Sequence, residues 1–596
     1  MYFNIAFLMG VMLAFAPANA KASAYDPDSC AQPVYPKSAL RSEQQGTVKL
    51  EFRIGADGKV LESRIAASSG FPMLDITAQR ALEGCTFKPG GDGKWTPVHY
   101  VWTLDDTAPP HVPFAKAPPA LRPFLLEAMQ ADRIADPLQR CLVFPDLPGN
   151  HWRAGMAAAY CQTKFEPVIS VVQMAALVER GAFDELEAMF QRDLERHFSK
   201  DNFSEVIHRD LTQMDTSDAH MKLVSRWLKA RPQSPFANAM RANQLHYMAS
   251  KARGEKYISE TPREDIKRMS ELIAKAVPYN EKALQLEPRL LPALVGLLQM
   301  ARIDSREQMA QEAFVRAGQL DPACREMAKA MMTSLEPRWG GSEQAMHAYA
   351  QHLATLVAAR PLLGMALVLP EGDQADLLYK DEKYQQVIKV LEPTLDVAPH
   401  PDLLALLGES MMRENADPWR ILSVLLVAYR FDEAKFQAAV DRGAVMQQLG
   451  EAEWALKSLQ TAQKLEPEHL YPLFHMGRAY LDLKQYALAE PLLLRALGNT
   501  RLHQLALLDL TSGAIDARLL DKGQHYSDQF IKAYPKDSRA WSERARLNFR
   551  RNDADGARSA LVTFLKVADH LSTQEIDRVE QQIKALDKLI ASKQSQ

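Results

Sequence analysis

From Gln45 the chain alternates. Val48, Leu50, Phe52 and Ile54 fall on one side, and Lys49, Glu51 and Arg53 on the other. That two-residue period predicts a strand with one buried face. Gly55-Ala56-Asp57-Gly58 tolerates positive φ, so residues 60–66 return as a second strand. The period then lengthens, and Leu74, Ala78, Ala81 and Leu82 share one helical face. A third strand follows, with Val98, Tyr100, Trp102 and Leu104 inward. If the first two strands form a hairpin and the third pairs with the first, the third is a sheet edge. Its outward residues are His99, Val101 and Thr103, and its free N–H and C=O groups are either open to an added strand or covered by the next domain.

Beyond residue 106 the β signals stop. Pro109, Pro110, Pro113, Pro118, Pro119 and Pro123 mark a semi-rigid linker over 107–124. Helical periodicity then runs to the end, beginning with a helix over 121–135. A 34-residue repeat is visible within it. Ala276, Ala283 and Pro288 return as Ala310, Ala317 and Pro322. Val387, Ile421, Ala455, Ala489, Gly523 and Ala557 keep the same period, as do Gly443 and Gly477. The best copies are 436–469 and 470–503, while the next is degenerate, with Gly523 and Phe530 at two small-residue positions. Ser572 and Glu575 form a capping box, and Val579, Ile583, Leu586 and Ile590 a single apolar stripe, as suits a helix closing a stack. The expected divisions are a leader 1–20, a β-rich domain 21–106, the linker 107–124, an irregular helical region 125–367, a repeat array 368–571 and a terminal helix 572–596.

Six short motifs carry a resemblance. Pro33-x-Tyr35-Pro36, Gly46-Thr47-Val48, Asp57-Gly58-x-Val60, Ser68-Ser69-Gly70, Leu74-Asp75 and Phe87-x-Pro89 occur in that order. Together they resemble the C-terminal domain of the TonB family over residues 28–106. The resemblance implies a ββαβ fold that binds short peptides by strand addition. An energy transducer carries this domain at its C-terminus behind a membrane anchor and spacer, whereas here it comes first. The 34-residue period resembles the tetratricopeptide pattern, in which small residues sit where paired helices cross and Pro ends the second helix. The fold class expected is an α+β N-terminal domain followed by a large all-α solenoid. Pro337-Arg338-Trp339-Gly340-Gly341-Ser342 resembles an uncharacterised bacterial helical family that carries no activity with it. Trp339 reads there as a packing anchor more than a binding site.

Residues 5–16 are almost entirely apolar, and Ala18-Asn19-Ala20 supplies small residues for cleavage after Ala20. Met1–4 lacks Lys and Arg; a buried helix or a misplaced start codon are the alternatives. Export to the periplasm makes disulfides the natural use of the five cysteines. Cys30 and Cys85 bracket the first domain and are expected to pair, the alternative being two separate buried thiols. Cys141 and Cys161 flank Pro145-Asp146-Leu147-Pro148-Gly149, a strong turn, and form the second expected pair. Cys324 is left as a packed small residue.

A net charge of −3 with 24% charged residues offers no basic field for nucleic acid. The mature chain has no apolar run long enough to span a membrane. No Cys-x-x-Cys, His-Glu-x-x-His, Gly-x-Ser-x-Gly or phosphate-loop motif occurs, and no catalytic residue, metal or cofactor is assigned. His208-Arg209-Asp210-Leu211 imitates a kinase catalytic loop without its Gly-rich partner. Gly90-Gly91-Asp92-Gly93-Lys94 precedes a strand, where phosphate finds no helix start. The expected function is a periplasmic adaptor for protein or peptide partners, outer-membrane receptor segments among the candidates. Participation in TonB-dependent transport is the alternative, and an enzyme with a site in the middle helices a remote one.

Overall fold

The computed structural model describes residues 11–14, 33–36, 39, 44–87, 93–102, 112–199, 205–213, 215–569 and 571–594. They fall into two compact units, Met1–Val112 and Pro113–Gln596.

The first unit is a sheet with one helix across it. Its elements are β1 (Val11–Ala14), β2 (Gly46–Ile54), β3 (Val60–Ala67), α1 (Pro72–Glu83) and β4 (Thr96–Trp102). Strand order is β1-β4-β2-β3, every neighbour antiparallel. The inward residues of β2 and β4 pack with Leu74, Ala78 and Leu82 of α1. The motif residues hold this fold together. A Cβ on Gly46 would lie 2.5 Å from the Ser69 carbonyl oxygen, so only glycine lets β2 start there. Gly70 has φ +90° and ends β3's exit turn. Asp75 is buried beneath that turn, accepting from Ser69 N–H at 2.8 Å, from the Ser69 hydroxyl at 2.7 Å and from Ser68. Burial alone would raise its pKa; these donors outweigh burial and hold it below the ordinary carboxylate value. Tyr35 packs edge-to-face on Trp102 at 5.0 Å, and Phe87 stacks on Phe52 at 5.1 Å.

The expected free edge is corrected in one respect. β4 has a neighbour on its outer side as well, because Val11–Ala14 runs antiparallel along it. Val11 pairs with Trp102, Met12 with Val101, Leu13 with Tyr100 and Ala14 with His99. The physical reason is the one that made the edge interesting: a row of unpaired backbone groups takes up any extended segment within reach.

The second unit is helical. Its Pro-rich start is more than a joint, for Phe114 is fully buried against Trp419 and Trp454, and its N–H donates to Glu451 at 2.7 Å. Cys141 and Cys161 are bonded to each other between the helices Pro137–Val143 and Met156–Phe165. Cys85 is buried and disulfide-bonded, while Cys30 lies outside the described residues, as does Thr103.

In the array each 34-residue copy is an antiparallel helix pair, such as Phe436–Gln448 with Ala452–Leu465 and Leu470–Asp482 with Tyr486–Ala496. The small residues have a steric cause. A Cβ on Gly443 would sit 2.6 Å from Leu459 Cγ, and one on Gly477 2.7 Å from Leu493 Cγ, the same clash one period on. The helix Thr573–Gln594 closes the stack. Ser572 Oγ accepts from Glu575 N–H at 3.3 Å, and Glu575 accepts from Ser572 N–H at 2.9 Å. Val579, Ile583, Leu586 and Ile590 cover Ala557 and Leu561.

Candidate binding surfaces

β4 owes its two-sided character to alternation. Val98, Tyr100 and Trp102 are buried, which leaves His99 and Val101 half-exposed on the opposite face. That face continues onto Trp95, which Arg64 overlies at 4.2 Å while also pairing with Glu51 at 2.6 Å. The strand itself brings no catalytic group. It can offer backbone donors and acceptors to an antiparallel segment, and β1 shows that geometry realised over four residue pairs.

In the helical unit the repeat aligns titratable groups. Asp441, His475, Asp509 and Glu543 lie 34 residues apart, each on the first helix of its pair. Burial raises Asp441 to about 7, with Glu409 adding to it and Gln437 and Arg413 opposing. Burial likewise raises Asp509 to about 6 and Glu543 above its ordinary value. Burial, helped by Arg478, lowers His475 to about 4. Beside this row is a cavity of about 230 Å³ whose lining includes Gln447, Arg478, Asp482, Asp509 and Asp516. The sequence holds this ladder in plain view at the repeat period, but only burial gives it shifted protonation.

Glu205, His208 and Cys324 form the grouping among the described residues that most resembles a metal or thiol site, their ligand atoms lying within 4.8 Å of one another. The surroundings oppose both uses. Glu205 is already occupied as a helix cap, accepting from Arg325 N–H at 2.6 Å and Glu326 N–H at 3.2 Å. Arg360 stands 3.8 Å from the same carboxylate and would repel a cation. Burial lowers His208 to about 3 and raises the Cys324 thiol well above its ordinary value, so the 3.8 Å contact joins a neutral imidazole and a thiol. The kinase-like His208-Arg209-Asp210-Leu211 lies within the helix Val206–Thr212, where Asp210 accepts from Ile169 N–H at 2.8 Å. Its residues serve packing and capping. Among the described residues no helix is long and apolar enough to cross a membrane.

Comparison with known families finds two matches. Residues 31–104 match the Gram-negative bacterial TonB protein C-terminal family, and residues 508–563 a tetratricopeptide repeat family. No curated protein matches the chain. Among solved structures, a tetratricopeptide repeat protein from Parabacteroides merdae is 18% identical over 37% of this chain and 92% of its own, with a TM-score of 0.31. YrrB, described as a TPR protein with an unusual peptide-binding site, is 15% identical over 38% of this chain and 95% of its own, with a TM-score of 0.21. The Cut9–Hcn1 assembly of the APC/C is 11% identical over 78% of this chain and 96% of its own, with a TM-score of 0.30. The first match lies within the sheet unit and the second within the helical unit, so the chain carries a TonB C-terminal-like domain fused to a TPR-type helical repeat region.

Proposed function

We propose that this chain is a periplasmic adaptor. Its TonB-like domain takes a peptide as an added strand on β4, and its repeat helices hold a second protein. The observation that carries the reading is the antiparallel pairing of Val11–Ala14 along the outer side of β4. Those residues belong to the segment read as a leader cleaved after Ala20. Cleavage removes β1 and returns the outer backbone groups of β4 to an incoming segment, with His99, Val101 and Thr103 beside it. A Cys30–Cys85 bridge fits this exported setting. No observation favours a role in transport over this one.

The test begins with mass measurement of the chain from an envelope fraction, expected to start at Lys21. That mature chain is then titrated with a synthetic peptide of residues 9–16. Two further peptides are N-methylated at alternate amides, one set odd and one set even. Because a strand aims alternate N–H groups to opposite sides, one of the two should lose binding and the other keep it. Val101→Ala should bind like the parent. Equal binding of both methylated peptides, or no binding of the parent peptide, would remove β4 as the docking strand and leave the adaptor role to the helices.

A further inference from the structure

Trp339 is held by its own motif. It ends a tight turn, Pro337–Trp339, that Gly340 leaves at φ +90°. A Cβ on Gly341 would fall 2.1 Å from the Leu335 carbonyl oxygen, so the chain reverses here only with glycine. Ser342 then accepts from Ala345 N–H at 3.1 Å and starts the helix Glu343–Ala354.

Three guanidinium groups surround the indole so placed. Arg253, Arg302 and Arg338 have their central carbons 4.5, 5.1 and 5.1 Å from the ring centroid. Arg253 and Arg302 come from the last turns of the helices Pro235–Arg253 and Leu291–Ile303, where the helix dipoles favour cations. The dipoles explain the charges and leave the hydrogen bonding unmet. Arg253 is only 6% exposed; one terminal nitrogen donates to Gly254 O and Lys256 O, yet its Nε has no acceptor. The Nε of Arg302 is buried without an acceptor too. Burial lowers the pKa of both, and the neighbouring arginines lower it further. Glu336, the carboxylate opposing this charge at Arg302, has its own pKa raised by burial.

Beside the ring is a cavity of about 480 Å³, to which Tyr247, Ser250 and Lys251 also contribute. Glu255 is the one carboxylate residue in that lining. Crowded cations with unmet donors around an aromatic floor call for an anionic acceptor. We propose that this cavity binds an oxyanion, a carboxylate or a phosphate group, with Arg253, Arg302 and Arg338 as donors and Trp339 as the floor. The site lies wholly in the helical unit and does not depend on strand binding at β4.

The test is calorimetric titration of the full chain with sodium phosphate and, separately, sodium glutarate, each against sodium chloride of equal ionic strength. At least one anion should bind saturably with a Kd of about 1 mM or tighter. Arg302→Gln should weaken that binding about ten- to a hundredfold, the worth of a charge-assisted hydrogen bond. Phosphate alone binding identifies a phosphoryl site, glutarate alone a carboxylate site, and both a site for either. Should Arg302→Gln fail to fold, exposed Arg338→Gln takes its place with the same expectation. The proposal is overturned if neither anion binds beyond the chloride control, or if the folded variant binds as tightly as the parent.

Discussion

Replacing Asp441 by Asn should stabilise the repeat array at neutral pH and leave it unchanged in acid. Asp441 is 7% exposed and accepts from Gln437 Nε2 at 2.7 Å, a bond that the amide oxygen of Asn preserves. Burial and the nearby Glu409 push its pKa up to about 7, from an ordinary value of 3.8, against Gln437 and Arg413. Between those two values the folded chain holds a proton that the unfolded chain has released. Stability therefore falls as pH rises through the window from about 4 to about 7, the opposite of a salt-bridged carboxylate. Roughly three pH units at about 1.4 kcal/mol each give about 4 kcal/mol as the upper bound of the loss at pH 8. The assay is native-state hydrogen exchange at amides of Phe436–Gln448, corrected for intrinsic rates, at pH 4 and pH 8. Asn should equal Asp at pH 4 and exceed it by up to about 4 kcal/mol at pH 8. A difference that does not change with pH, or an Asn variant less stable at pH 8, refutes the reasoning.

Three other outcomes are expected. Arg442 and Asp132 are both almost fully buried and meet at 2.9 Å as an ion contact, with Trp454 Nε1 donating to the same carboxylate at 2.7 Å. Arg442→Met should lower stability by about 3–5 kcal/mol, since it leaves Asp132 unpaired, and adding Asp132→Asn should recover part of the loss in urea unfolding. Replacing Cys141 and Cys161 together by Ser opens a loop with a sequence separation of 20 and should cost about 3 kcal/mol, read as a lower melting temperature of the helical unit. Gly341→Ala meets backbone rather than a flexible side chain and should cost at least about 1–3 kcal/mol, with the Trp339 turn losing exchange protection first.

Much of this protein is determined locally, and so is legible in the sequence. Val48, Leu50 and Phe52 alternate because a strand has period two, and the residues that end each strand must accept positive φ or close approach, as Gly46, Gly58 and Gly70 do. The repeat is visible because each helix pair meets the next at the same spacing, so Gly443 and Gly477 face the same steric demand. Cys141 and Cys161 flank a turn, and sequence distance there is a fair guide to spatial distance. What tertiary structure decided depends on who is near whom across the chain. Nothing local shows that Val11–Ala14 lies along β4, since any extended apolar segment satisfies an open edge. Nor does sequence bring Arg253, Arg302 and Arg338 around Trp339, because three separate segments supply the charges and only helix packing points them at one ring. Asp441 and Asp509 are ordinary acids on paper. Their protonation is set by desolvation, a property of the packed interior that no run of residues carries by itself.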